Sequence, residues 1–569
     1  MKWLLIFLAV SILVYGEEEP EMPSGISPKQ AVIGDDCMVV SANPHATQAG
    51  LETLLKGGNA VDAAIVMQFV LNVVEPQSSG IGGGAFLLYY DKKTDQVKAY
   101  DGRETAPQGV DENWFLGADH QPMPRMHAMV GGRSVGVPGV VKLLEQVHQQ
   151  YGVLPWKELF VPAIKLAVGG FPISSRLHKL LAQAPFLSPQ STPYLFQDGN
   201  LKQEGEILKN TELATSFYTL AEQGSDAFYH GKLAEGIVQA VKARGGVMTF
   251  EDLAGYQIKM RDPLVTSFGG YSIYGFPPPS SGGIAVAQML AILQEFERTG
   301  FTLGSAPFID LFCRSSRMAF ADRDYYVADP DFFPVPVDRL VDPDYLHKRA
   351  EAVRKHEKTA PGHYPGESLT CCPPMTLSSE LELPSTTQIC VIDSIGNCLS
   401  MTSSIENAFG STVMTGGFFL NNQLTDFSLV PEKEGKRAAN RIEPGKRPAS
   451  SMAPTLVFRT VAEKKQIYLN LGSAGGSRII DYVAKALCGV LLFDLNIQEA
   501  IAFPNFASLS DVIDLEENTF LVQSVAELEA MGAVVKTMPL TSGSQGIQCL
   551  DGQLMGGVDP RREGEAKGQ

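Results

Sequence analysis

The chain has 569 residues, 44% hydrophobic and 19% charged, which is enough apolar material for a large core or several domains. It carries 46 Lys and Arg against 63 Asp and Glu, a formal net charge of −17. A chain this acidic lacks the basic footprint that attracts phosphate backbones, which argues against a nucleic-acid partner.

Residues 1–16 read as a secretory signal peptide. Lys2 supplies a cation, an apolar run extends from Trp3 to Tyr15, and small Gly16 precedes acidic Glu17 to Glu19. As a helix the run would reach only about 20 Å, short of a hydrocarbon layer of ~30 Å, so an uncleaved anchor is the weaker alternative. No later stretch is long and apolar enough to span a bilayer, and a secreted or periplasmic product without a stable membrane span is expected. Disulfides are permitted in that setting, but spacing does not give the pairing of the eight cysteines, and vicinal Cys371 and Cys372 cannot easily bridge each other. No His/Cys or His/Glu cluster has metal-ligand spacing, and no metal or other cofactor is expected.

Residues 46–74 read as two helices broken at Gly57 and Gly58, the second with an apolar face. SSGIGGGAFLLYYDKKTDQVKAYDGRETAP then gives a Gly-rich loop, a strand, a polar turn and a second strand. SGIGGGA nearly spells a dinucleotide fingerprint, but here the helix precedes and the strand follows, the reverse of what that fingerprint needs. A helix is predicted from Pro138, a residue suited to a first turn. Residues 155–350 are mixed and mainly helical. Within them FPPPSSGG (276–283) reads as a rigid loop and DRDYYVADPD (322–331) as a capped loop near a helix end.

Segment 356–385 is polar, rich in proline and without period, so it reads as a linker or loop. TTQICVIDSIGNCLSMTSSI follows as a hairpin around the turn SIGN (394–397), then come strands TLVFRT and QIYLNL and a Gly-rich turn that opens an apolar helix. The tail from Asp559 is polar and is expected to fray.

Long linkers inside compact chains are usually functional or disordered, and this one ends directly on Thr386. Thr386 and Thr387 suit a strand start simply as β-branched residues. A chain cut between Ser385 and Thr386 would give them another role. Threonine is a weak nucleophile without a base beside it, and a new N-terminus supplies one. A free α-amine has a pKa of about 7.7–8.0 against about 10.4 for lysine, so part of it is unprotonated at neutral pH.

TTQICVIDSIGNCLSMTSSIENAFGS resembles the processing site and first hairpin of γ-glutamyltransferases. LNNQLTDFS (420–428), GKRPASSMAPT (445–455) and GSAGGSRII (472–480) follow it, and EPQSSGIGGGAF (75–86), DGRETAP (101–107) and GGRSVGVPG (131–139) precede it. These blocks match the family in the same order over nearly all of the mature chain.

The resemblance implies an α+β fold, the four-layer αββα sandwich of N-terminal nucleophile hydrolases. It implies a large fragment, 17–385, and a small one, 386–569, held together as a heterodimer by a common core. Thr386 would attack the γ-carbonyl of glutathione or another γ-glutamyl compound, and water or an amino-acid or peptide acceptor would resolve the acyl-enzyme. Ser404, where the family usually has threonine, would bond the nucleophile's amine, and Gly475 and Gly476 would form the oxyanion hole. Arg103 would grip the donor's α-carboxylate with Ser450 and Ser451. Gln423 and Asp426 would take its α-ammonium. Glu406 departs from the asparagine of many members; it could strengthen ammonium binding or repel the donor carboxylate. The charged segment SLVPEKEGKRAANRIEP (428–444) stands at the family's lid, shorter than the longest lids, which implies a more open acyl site.

Two rival readings keep most of these residues. A cephalosporin- or glutaryl-type amide acylase would retain Thr386 and the glycines but take another acyl group. An unprocessed binding relative would persist as one polypeptide without amidase activity.

Overall fold

Strands on either side of the linker belong to one sheet, and this pairing organises the molecule. The computed structural model describes residues 21–297, 300–355, 375–376, 382 and 385–569. The expected signal peptide, most of the linker, and Cys371 and Cys372 lie outside the described residues.

Upstream of the linker, strands β1 (Val32–Gly34), β2 (Met38–Ser41), β3 (Gly84–Asp91), β4 (Gln96–Gly102), β5 (Lys259–Arg261), β6 (Leu264–Phe268) and β7 (Tyr271–Gly275) build the two large sheets. Downstream are β8 (Thr386–Ile392), β9 (Cys398–Ser404), β10 (Thr455–Val461), β11 (Lys464–Gly472), β12 (Gln545–Leu550), β13 (Gln553–Val558) and β14 (Glu565–Gly568). They form two seven-stranded antiparallel sheets, ordered β1-β13-β12-β11-β10-β7-β6 and β14-β2-β8-β9-β3-β4-β5. In the second sheet β8 pairs with β2 on one side and β9 on the other, while β9 also pairs with β3.

Period-two alternation explains the layering. Along β3, Ala85, Leu87 and Tyr89 join the core built on helices α1 (Pro44–Leu55) and α2 (Ala60–Val74). Phe86, Leu88 and Tyr90 point the other way and pack on the first sheet's side, where Phe86 stacks on Phe276 at 4.3 Å and Tyr90 meets Phe458 edge-on at 4.9 Å. Helices α4 (Gly282–Gln294), α5 (Ala306–Tyr326) and α6 (Ile479–Leu492) share that second core. Burying both faces of each sheet gives the four-layer αββα arrangement.

Helix α3 (Val140–Tyr151) starts two residues after Pro138 because the N–H groups of Gly139 and Val140 both bond the Gly83 carbonyl, at 2.9 and 3.1 Å. Segment 428–444 folds partly into a small hairpin, Glu432–Lys433 with Lys436–Ala438, whose second strand pairs with Met375–Thr376. The six described cysteines, Cys37, Cys313, Cys390, Cys398, Cys488 and Cys549, are free thiols.

The tail corrects the expectation of fraying. β14 is an edge strand paired with β2, and Asp559, Arg561 and Arg562 are buried. Polar sequence misled here because these charges are paired: Arg561 holds Glu516 through two bonds of 2.6 Å, and Asp559 at 3.1 Å. Backbone pairing at a sheet edge needs no apolar side chain.

Candidate active site

The register of β8 and β9 sets Thr386 directly opposite Ser404. Thr386 Oγ1 donates to Ser404 Oγ at 3.1 Å, and Ser404 Oγ donates to the Ser385 carbonyl, also at 3.1 Å. The Glu406 N–H donates to the same Ser404 oxygen at 2.8 Å. One hydroxyl therefore accepts two bonds and spends its single proton on the carbonyl of the Ser385–Thr386 peptide. Ser385 is anchored in turn, its hydroxyl donating to Gln77 O at 2.5 Å. The Gly-rich loop allows this close packing: a Cβ on Gly83 would stand 2.2 Å from the Ser404 carbonyl.

A buried ion network grips the other side of Thr386. Arg562 Nη1 donates to the Thr386 carbonyl at 3.0 Å and Nη2 to Glu21 at 2.8 Å. Glu21 also takes two bonds from Arg176, at 2.5 and 2.9 Å, and Arg176 reaches Ser78 and Glu75. Burial pushes the Glu75 carboxyl up to about 7, with Arg176 opposing the shift. Sequence reasoning missed this network, since nothing local links residue 21 to residue 562.

The donor-recognition residues form a second group. Arg103, just after β4, pairs with Asp426 at 2.5 Å and donates to Ala449 O at 3.0 Å. The residues expected to take a carboxylate and an ammonium are thus partners of each other. Burial raises the Asp426 carboxyl well above the usual range; Arg103 opposes this, while Glu406 and Glu382 add to it. Asp426 Oδ1 and Gln423 Oε1 are buried acceptors without a hydrogen-bond partner. Glu406, at φ +75°, accepts from Asn422 Nδ2. Glu104, beside Arg103, is pushed up to about 7 by burial.

Ser450 and Ser451 are buttressed by the FPPPSSGG loop, where the Ser281 N–H and hydroxyl both donate to Ser450 O, at 2.7 and 2.8 Å. Gly475 and Gly476 turn from β11 toward α6 at φ +142° and +59°, and a Cβ on Gly475 would lie 2.5 Å from the Tyr482 ring.

Glu382 and its partner Arg323 were not anticipated either. Glu382, from the linker, lies over this turn: its N–H donates to Ser477 Oγ at 2.8 Å, and the Ser477 N–H donates back to Glu382 O at 3.2 Å. Its carboxylate accepts from Arg323 Nη2 at 2.9 Å and from Ser450 Oγ at 3.3 Å. The geometry thus gives a Thr386–Ser385–Ser404–Glu406 cluster and an Arg103–Asp426 cluster, with Glu382 joining Ser450 to the glycine turn. A cavity of about 510 Å³ beside α1, lined by His45, Gln48 and Glu52 among others, contains none of these residues.

Two facing antiparallel sheets covered by helices are the fold of the N-terminal nucleophile hydrolases. A family model described as Gamma-glutamyltranspeptidase matches residues 46–569. The chain is 34% identical to the glutathione hydrolase proenzyme of Bacillus subtilis (strain 168), across 99% of this chain and 97% of that one. It is 32% identical to the acylase ACY 1 proenzyme of Pseudomonas sp. (strain V22), across 94% of each. A crystal structure of cephalosporin acylase from Bacillus halodurans matches with a TM-score of 0.82 at 26% identity, over 97% of this chain and 99% of that one. The chain belongs to the gamma-glutamyltranspeptidase family, whose members here include hydrolases and acylases. Among the described residues no helix is long and apolar enough to cross a membrane.

Proposed function

We propose that the chain cuts itself between Ser385 and Thr386, and that the freed Thr386 transfers γ-glutamyl groups to water or to amines. The observation that carries this is the Thr386–Ser404–Ser385 relay. Thr386 Oγ1 adds to the Ser385 carbonyl carbon, and the Ser404 proton supports the charge that develops on its oxygen. The peptide C–N bond breaks as the ester forms, the Thr386 nitrogen takes up the proton, and water then hydrolyses the ester. Fragments 17–385 and 386–569 stay together because β8 remains between β2 and β9, each fragment contributing strands to one sheet.

In the second reaction the new α-amine accepts the Thr386 proton as Oγ1 attacks the donor's γ-carbonyl. N–H groups at Gly475 and Gly476 receive the oxyanion, and loss of one such donor in other enzymes costs about 2.7–4 kcal/mol of barrier. The amine or peptide leaves with a proton, and water or an acceptor amine resolves the ester to glutamate or to a new γ-glutamyl product. Arg103, Ser450 and Ser451 take the donor's carboxylate, and Gln423, Asp426 and Glu406 its ammonium. Asp426 Oδ1 and Gln423 Oε1, buried acceptors lacking partners, favour an ammonium-bearing donor over a glutaryl one. The acylase relatives keep the glutaryl reading in play, and comparing γ-glutamyl-p-nitroanilide with glutaryl amides separates the two.

Denaturing electrophoresis with N-terminal sequencing tests the cut. Wild type should give two bands, the smaller beginning Thr-Thr-Gln, and Thr386→Ala a single inactive band. An intact wild-type chain that still releases glutamate would refute the proposal.

A further inference from the structure

The Glu382 carboxylate stands where the reading above places the donor's carboxylate. Its Oε2 accepts from Ser450, and its Oε1 from the same Arg323 nitrogen that donates to Ser451 Oγ at 3.2 Å. Its backbone is clasped to Ser477, next to the glycine turn assigned to the oxyanion. A linker acid four residues before the scissile bond therefore spans the site from oxyanion turn to carboxylate pocket.

Arg323 projects from the last turn of α5 and is buried. Its Nε donates to Ser281 Oγ at 3.2 Å and its Nη1 to Asp324 at 2.7 Å. Those contacts fix the guanidinium plane. Among the described residues, Nη2 donates to the linker carboxylate and to a serine of the pocket. Asp324 balances one edge of the guanidinium, so a carboxylate that replaces Glu382 is matched to the Nη2 edge that Glu382 vacates.

We propose that Arg323 is a second carboxylate-binding residue of the donor pocket, beside Arg103, and that Glu382 occupies it as an internal ligand in the uncut chain. This rests on the proposed donor class and adds that Glu382 and a donor carboxylate exclude each other at Arg323.

Glutamate binding to uncut protein tests it without requiring any acyl chemistry. In calorimetry, Thr386→Ala alone should not bind glutamate, whereas Thr386→Ala with Glu382→Ala should. Adding Arg323→Gln should weaken that binding about 10- to 150-fold, the range for losing a hydrogen bond to a charged group. Melting curves identify any variant that fails to fold. Equal binding with and without Glu382, or none in either protein, overturns the internal ligand. Undiminished binding in the folded triple variant overturns Arg323. In cut enzyme, Arg323→Gln should raise KM for γ-glutamyl-p-nitroanilide but not for its 4-aminobutyryl analogue, which lacks the α-carboxylate; an equal rise for both counts against the assignment. A wild type inactive on γ-glutamyl amides would sink the function itself, a separate result from these titrations.

Discussion

The two halves of the site are built by different means. Around Thr386 the geometry comes from backbone pairing: register sets Thr386 against Ser404, and each hydroxyl of the relay has a partner. The donor pocket is built on loops, the last turn of α5 and charge. Arg103, Arg323, Glu104, Glu382, Glu406 and Asp426 lie buried together, some with oxygens that no hydrogen bond satisfies. Strand register costs little to maintain, whereas buried charge is expensive unless paired. One half is therefore rigid before any donor arrives, and the other is poised to exchange internal partners for a ligand.

The largest expected effect would show that the Thr386 half also leans on charge. Arg562→Ala removes the guanidinium that joins the Thr386 carbonyl to Glu21, and breaking a buried pair typically costs about 3–5 kcal/mol. Denaturant unfolding in a Thr386→Ala background should show that loss, and gels of the single variant should show slower cutting. Unchanged stability and cutting would mean that β pairing alone holds Thr386.

Ser404→Ala sharpens the comparison at the relay itself. Loss of the hydroxyl that bonds the scissile carbonyl should slow cleavage about 10- to 150-fold, followed by the time course of band conversion. Ser404→Thr keeps the hydroxyl and should restore the rate. If both variants cleave alike, the hydroxyl has no part in the step.

The smallest effect concerns the pocket's unbalanced charge. Glu104 titrates near 7 in the folded chain against 4.5 as the ordinary value, because burial disfavours its charged form. A raised acid binds its proton more tightly when folded, so its stabilising contribution is complete below pH 4.5 and is lost as pH rises toward 7. Glu104→Gln should therefore stabilise the protein at pH 8, by up to about 3 kcal/mol less the weakened Arg103 contact, and by only about a quarter as much at pH 5. Melting temperatures at the two pH values decide this; an equal shift at both would show that Glu104 is not held neutral by burial.

The same contrast governs what could be read in advance. The helices at 46–74, the hairpin around SIGN and the glycine turn before α6 each declare themselves within a few residues, by periodicity, turn chemistry or a positive φ that suits glycine. Thr386 stood out because a strand began where a linker ended, and register follows from the hairpin's short turn. The tail from Asp559 misled, since polar composition resembles solvent exposure when the partners of each charge are out of view.

By itself, then, the sequence determined the local elements, the hairpin that carries Thr386 and the blocks that mark the family. Only the tertiary structure decided which charges meet: Arg562 with Glu21 across 541 residues, Arg103 with Asp426 across 323, and Glu382 with Arg323 across 59. The reason is physical. Hydrogen-bonded turns and side-chain periodicity are short-range and leave a local trace, while a buried ion pair is chosen by the three-dimensional packing that removes both partners from water, and leaves none.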